Sequence, residues 1–338
     1  EQLILFAMFL YALVLYPVAL SPEFLTPFTI AAFKFPFAIW VALQVGRLSG
    51  IENDRYDLLL KILIVAALIA CLISFILWSN IDLSNNIKFN FLKYDEELMR
   101  YQSHRAFGFS DELLFSFSLV QAAIFAAALF RYGWSRYIFV FFVLISASIL
   151  LNARIGFVFI FLAIVLNLKP RNVLFSFSLL MAAYFLATST DYAMDAKQGE
   201  SVLFQVSQIV RDLNLYDNQD GVLQELFGNM FFFPDTILGI FFGEGVKVFG
   251  ETSGSDSGYI NAIFFGGLFY LTLIFAFFLR CYFRLVASGF KVLALFLFLL
   301  FLIASFKGQF FISKPGMNLF VLLYVCIIYF GGLKARLK

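Results

Sequence analysis

Charge is scarce in this chain of 338 residues: Asp, Glu, Lys and Arg together make up 14% of it, against 62% hydrophobic residues. With a mean hydropathy of +0.91, that balance excludes an ordinary soluble domain. There is one histidine, His104, and there are three cysteines, Cys71, Cys281 and Cys326, at distant positions in or beside apolar runs. So few residues yield neither a disulfide framework nor a cluster with metal-ligand spacing, and the cysteines read as packing side chains. No Walker-type loop occurs, and Gly243-Glu244-Gly245 lacks the preceding strand and third glycine of a dinucleotide fingerprint. No metal or organic cofactor is therefore expected. No internal repeat or low-complexity linker is visible. Leu3–Leu20 lacks the basic flank and small-residue cleavage site of a secretory signal. The chain is expected to begin at its first span, with native residues missing before Glu1.

What is present in excess is apolar and aromatic. Phe alone occurs 49 times, and several apolar runs reach or approach the ~20 residues that span a bilayer. The expectation is an all-α, polytopic integral membrane protein, one membrane domain over 1–338. Crossings are expected at about 3–20, 28–46, 58–79, 113–130, 137–151, 155–168, 172–190, 258–279, 289–306 and 315–332. Because the aromatics lie in these runs, nucleic acid is not an expected partner.

Orientation follows from the basic residues of alternate loops. Arg47, Arg55, Lys61, Arg131, Arg136, Lys169, Arg171, Arg280, Arg284, Lys291, Lys334, Arg336 and Lys338 fall on one side, where the acids are only Glu1, Glu52, Asp54 and Asp57. That side is read as cytoplasmic, with both termini on it. The outer side carries two long segments, 80–112 and 191–257. Within the second, Ser201–Leu213 places Val202, Val206, Ile209, Val210 and Leu213 on one helical stripe, the pattern of an amphipathic helix lying on a membrane. Phe231–Gly243 is apolar but too short to cross and contains Pro234 and Asp235, so it is read as a re-entrant stretch. These segments form the outer cap.

The outward-side cations stand in particular places. Arg154 is alone in the otherwise uncharged stretch Tyr137–Leu168. An unpaired guanidinium in hydrocarbon costs about 2.5–3.5 kcal/mol on insertion scales, so Arg154 is placed at the tip of a hairpin of two membrane segments. Its planar fork suits phosphate oxygens there. His104 and Arg105 precede a span, Arg211 lies on the polar edge of the amphipathic helix, and Lys307 and Lys314 bracket the last outer turn. Convergent cations at a membrane surface point to an anionic lipid head group. Taken singly, each also reads as an interfacial anchor or a partner for a nearby acid. Lys34, inside the second span, reads as snorkelling outward or pairing with Glu23. Asp256, in Ser255-Asp256-Ser257-Gly258-Tyr259, has two readings: a carboxylate that takes a proton from a sugar hydroxyl, or a helix cap.

The run from Leu238 to Leu268 resembles the signature of the O-antigen polymerase and ligase superfamily of bacterial envelope enzymes. That signature has a Gly-x-Gly turn, a polar residue opening a span, a Tyr three on and a Gly eleven on, here Gly243, Gly245, Asp256, Tyr259 and Gly267. Asn152-Ala153-Arg154 resembles the family's Ser-x-Arg hairpin tip, and Arg105-Ala106-Phe107-Gly108 its Arg-x-x-Gly string. The likeness covers roughly 100–320. The ligases carry histidine where this chain has Asp256, which favours the polymerases (Wzy type), inverting glycosyltransferases of the membrane GT-C kind.

The resemblance implies polymerisation of undecaprenyl-diphosphate-linked repeat units at the periplasmic face of a bacterial inner membrane, without a metal. It implies Arg154 and Arg211 on the diphosphate, with Arg105 and Lys307 as further candidates, and Asp256 at the acceptor. Tyr259, Lys314, His104, Gly243 and Gly245 would line the substrate site. Donor and acceptor glycolipids, membrane lipid and a chain-length regulator protein are the partners implied. Two rivals remain: a ligase that moves finished glycan to lipid A core, and a glycolipid transporter or flippase. A transporter would place charges in several mid-membrane positions, whereas here Lys34 is about the only one.

Overall fold

A computed structural model describes residues 2–15, 40, 41, 44, 55–90, 115–151, 155–167, 231–245, 255, 257–308, 320, 323 and 324. Among the described residues every regular element is a helix. In chain order these are α1 (Gln2–Leu15), α2 (Arg55–Ser79), α3 (Ile81–Asn90), α4 (Phe115–Tyr132), α5 (Arg136–Leu150), α6 (Ile155–Leu166), α7 (Ile237–Phe242), α8 (Gly258–Ala287) and α9 (Lys291–Lys307). Helices α2, α4, α5, α6 and α9 stand within a few residues of expected crossings. The expected crossing 172–190 lies outside the described residues, and 28–46 and 315–332 are described at only three positions each.

Tyr56–Ser79 and Gly258–Ala287 are long and apolar enough to cross a membrane. The surface of α2 shows what such a helix needs around it. Leu58, Ile62, Val65, Ile69, Leu72 and Ile76 follow a three-four spacing down one face, and each is 48–60% exposed. A continuous apolar stripe of this kind suits hydrocarbon and not water.

The chain divides into two compact units, one of Glu1–Leu59 with Val222–Lys338 and one of Leu60–Gly221. In the second unit α4 is the central helix, with Ala122, Ala123, Ala126, Ala127 and Ala128 all buried. These small side chains let neighbouring helices approach closely, as is common where no hydrophobic effect drives helices together. Gly156 at the head of α6 is packed so tightly that a methyl there would lie 2.8 Å from Ile149 Cγ2 and 3.0 Å from Ser118 Cβ. The start of α4, the end of α5 and the start of α6 therefore meet at one end of the unit. Leu77, near the end of α2, packs there with Leu151. This alternation of helix ends is the one expected of successive crossings.

Buried Gln121 ties three helices at the centre of this unit. Its Nε2 donates to Ser148 Oγ of α5 at 3.1 Å and to Cys71 Sγ of α2 at 3.5 Å. In an apolar surround such bonds between helices contribute about 1 kcal/mol. Gln121→Ala is expected to lower the unfolding temperature of the detergent-solubilised protein by that order of stability. An unchanged melting curve would show that the two bonds contribute nothing net.

Helix α3 lies within residues 80–112, a stretch for which the sequence analysis named no element. Asn80 starts it, with Oδ1 accepting from Leu83 N at 3.0 Å, and Asp82 occupies its first turn. Both features favour a helix start. Ile87 packs this helix against Leu77 and Leu151.

Candidate functional site

The segment before α8 begins without regular structure at residues 231–234, then forms the six residues of α7. Thr236 caps α7, its Oγ1 accepting from Gly239 N at 2.9 Å. At six residues the helix cannot cross a bilayer. At its other end Gly243 takes φ +78°, and Tyr11 of α1 donates its hydroxyl to Phe242 O at 2.7 Å. The expected short turn at Gly243-Glu244-Gly245 is therefore present, and a side chain from the other end of the unit's sequence anchors it.

The turn closes onto α8. At Gly267 the helix is broken, with φ 67° and ψ −173°. The carbonyls of Phe264 and Phe265, which an unbroken helix would bond to residues four further on, accept from Glu244 N at 2.8 Å and Gly245 N at 3.1 Å. Both partners approach backbone to backbone. A methyl on Gly243 would lie 2.5 Å from Gly266 N, and one on Gly267 would lie 2.2 Å from Phe241 O. The Gly243-x-Gly245 turn and Gly266-Gly267 thus form a single clasp.

The break also redirects the chain. In a straight helix residues 259 and 275 would be roughly 24 Å apart along the axis. Here the ring of Tyr259 stacks on Phe275 with centroids 5.9 Å apart and planes 6° apart. Residues 258–266 therefore fold back along the part of α8 after Gly267. The expectation of one continuous crossing over 258–279 is corrected accordingly: the crossing-length helix is two helices joined at an acute bend, because glycine alone tolerates that backbone and the α7 turn satisfies the freed carbonyls.

The fold-back brings the head of α8 to the end of α9. Phe278 stacks on Phe301 at 3.8 Å, and Tyr282 lies 5.5 Å from Phe298, so the later part of α8 runs antiparallel to α9. Tyr259 packs edge-on to Phe306 at 5.0 Å and donates its hydroxyl to Leu302 O at 2.6 Å. Gly258 touches the last turn of α9, where a methyl would meet Gly308 O at 2.3 Å. Phe231 lies 6.1 Å from Phe306 and Phe232 5.3 Å from Phe264, which lays the start of this segment beside the same folded-back helix and the end of α9.

The polar head of α8 is fully buried: Ser255, Ser257 and Asn261 are each 0% exposed. Ser257 N donates to Ser255 Oγ at 3.1 Å, and Asn261 Nδ2 donates to the carbonyls of Ser255 at 2.7 Å and Ser257 at 2.8 Å. Ser257 makes no side-chain cap of the helix. Ser257 Oγ and Asn261 Oδ1 have no hydrogen-bond partner among the described residues.

Of the residues the sequence singled out, this unit brings together Gly243, Gly245, Tyr259 and the backbone of Lys307 at the end of α9. Tyr259 serves packing, with its hydroxyl committed to a main-chain carbonyl. Asp256, Arg154, Arg211, Arg105, His104 and Lys314 lie outside the described residues. So does the amphipathic stretch Ser201–Leu213. Asn261 was missed by sequence reasoning. Its signal was an amide one turn into an otherwise apolar helix start.

No family model, curated protein or solved structure matches this chain.

Proposed function

We propose that this protein is a membrane glycosyltransferase that polymerises oligosaccharide repeat units carried on undecaprenyl diphosphate, acting at the periplasmic face of a bacterial inner membrane. The observation that carries the reading is the clasp itself. The Gly-x-Gly turn, the Tyr and the later Gly of the superfamily signature, Gly243, Gly245, Tyr259 and Gly267, fall on one built object: a folded-back helix and a glycine turn locked to its break. A chance string of glycines and serines would have no reason to pair in this way.

In the proposed reaction the acceptor's sugar hydroxyl gives its proton to the Asp256 carboxylate as its oxygen attacks the anomeric carbon of the donor glycan. The bond from that carbon to the diphosphate oxygen breaks, and its electron pair leaves with undecaprenyl diphosphate. The anomeric configuration inverts. Arg154 and Arg211 stabilise the charge that develops on the leaving diphosphate, with Arg105 and Lys307 as supporting cations. Fixed guanidinium groups suit this task because they stay charged and bind two oxygens each. A chain-length regulator would act on the extending product.

Purified protein given two equivalents of a lipid-linked repeat unit should build a ladder with no lipid A core present. Transfer only when lipid A core is added would identify the ligase. Movement of glycolipid across vesicles with no new glycosidic bond would identify a transporter. Asp256→Asn should reduce turnover about 10²-fold or more, the range of general-base catalysis, while leaving affinity for the lipid-linked unit nearly unchanged. Wild-type turnover in that variant would reduce Asp256 to a helix cap.

A further inference from the structure

We infer that α7, with Phe233 before it, is a membrane-surface anchor whose apolar side chains sit in bilayer hydrocarbon just inside its boundary. The inference is independent of the reaction proposed above and rests on α8 crossing a bilayer. Phe233, Ile237, Leu238, Phe241 and Phe242 are 53–74% exposed, and within α7 only Gly239 is buried. No charge interrupts the helix. An apolar patch of this kind marks a contact with protein or membrane, and three observations choose the membrane. The first is continuity. Tyr11 of α1 donates to Phe242 O at 2.7 Å, and its ring lies 4.9 Å from Phe269 of α8. Phe269, Leu279 and Phe283 are the exposed large apolar residues of α8, and they fall within about 80° of one another around the helix axis. They belong to Gly258–Ala287, which is long and apolar enough to cross a membrane. Leu3, Phe6 and Leu10 form a similar exposed stripe on α1. The face of α7 thus adjoins the surface that a crossing helix presents to lipid.

The second observation is depth. Arg280 and Arg284 close the apolar part of α8, and such side chains belong at a membrane boundary. From Arg284 back to Gly267 a helix rises roughly 26 Å, less than the ~30 Å of a hydrocarbon core. The bend at Gly267 therefore lies just inside the other boundary. Helix α7 is fixed at that level, since a methyl on Gly267 would lie 2.2 Å from Phe241 O. Asp235 is exposed next to Thr236 and limits how deep the segment can go, because a carboxylate must reach the head groups. The third observation is the backbone. Gly239 N donates to Thr236 Oγ1 at 2.9 Å, Gly243 N to Gly239 O at 2.7 Å, and Glu244 N and Gly245 N to the carbonyls of Phe264 and Phe265. Phe242 O accepts from Tyr11. Water would serve all of these groups, and hydrocarbon can serve none of them. A short helix paired so fully within the protein is suited to facing lipid.

The test places a nitroxide label on Ile237→Cys, and separately on Leu238→Cys, in the full chain in nanodiscs of phosphatidylethanolamine and phosphatidylglycerol. Cys71 and Cys281 are buried, and the parent protein carried through the same labelling supplies the background. Collisions with oxygen, which concentrates in hydrocarbon, are compared with collisions with a water-soluble nickel chelate. Oxygen should dominate at residues 237 and 238 and the chelate at Asp235→Cys, a reversal across one turn of chain. Dominance of the chelate at 237 and 238 overturns the inference. So does weak collision with both reagents, which assigns the face to protein contact; oxygen access restored in discs holding a single copy would identify that protein as a second copy of this chain. If the labelled variants do not fold, Phe241→Trp replaces them. Its emission, above that of the native tryptophans, should be quenched by lipids brominated on their acyl chains, and absence of added quenching overturns the inference. Leu279→Cys on α8 is the reference. Dominance of the chelate there would sink the crossing of α8 itself, a different result from a wet α7 beside a dry α8.

Discussion

Arg154→Ala and Arg211→Ala are each expected to abolish the polymer ladder while the protein still inserts in the membrane at normal abundance. In the proposed reaction the leaving diphosphate accepts an electron pair, and a preorganised donor at such a position is typically worth about 10²–10³-fold in rate. For Arg154 the structural setting is specific. The three residues 152–154 join α5 to α6, and those helices meet the start of α4 and the end of α2 at one end of their unit, where Leu77 packs with Leu151. Neither α5 nor α6 contains a charge after Arg136. Arg154→Lys should recover only part of the activity, because an ammonium cannot form the two-pronged bond to phosphate. The measurement is the ladder on a polysaccharide gel beside membrane abundance from a fluorescent fusion. Normal ladders from both alanine variants would mean that the diphosphate is held elsewhere.

Gly267→Ala should be the most damaging single methyl among the described glycines. The new carbon would lie 2.2 Å from Phe241 O, 2.3 Å from Phe241 C and 2.4 Å from Phe242 N. All three are backbone atoms, so no side chain can rotate aside, and α7 would have to leave α8. That would free the carbonyls of Phe264 and Phe265 from Glu244 N and Gly245 N, and unpaired backbone groups in an apolar surround are costly. The φ of +67° adds its own penalty. A loss above ~4 kcal/mol is expected, in the exceptional class for one substitution. Gly133 supplies the control, since it has the same φ of +67° with nothing within 4 Å of an added methyl. Gly133→Ala should cost only the backbone term, about 1–2 kcal/mol. Yield of monodisperse protein and its melting temperature read the difference. If the two alanine variants behave alike, the clasp contributes nothing.

The clasp shows how far local sequence reaches. Gly243-x-Gly245 and Gly266-Gly267 were legible as places for tight turns and close backbone approach. That they would meet was not, because Gly-Gly within an apolar helix also suits a close helix crossing. Ser255, Ser257 and Tyr259 were legible as the opening of a helix. Asn261 was not, since its partners are carbonyls whose placement depends on how the chain enters the turn. The helix α3 could have been found from Asn80 and Asp82 but was hidden by the polar composition of its segment, Ile81-Asp82-Leu83-Ser84-Asn85-Asn86.

By itself the sequence determined the all-helical class of this protein and, among the described residues, the approximate limits of α2, α4, α5, α6 and α9. Apolar run length and the position of charges are local properties, and they decide helix limits without reference to the rest of the chain. Tertiary structure decided that α8 turns back at Gly267, that Tyr259 spends its hydroxyl on Leu302, and that Gln121 joins three helices. Each of these depends on a backbone or side-chain group supplied from a distant part of the chain, and a buried polar group takes its role from the partner it finds.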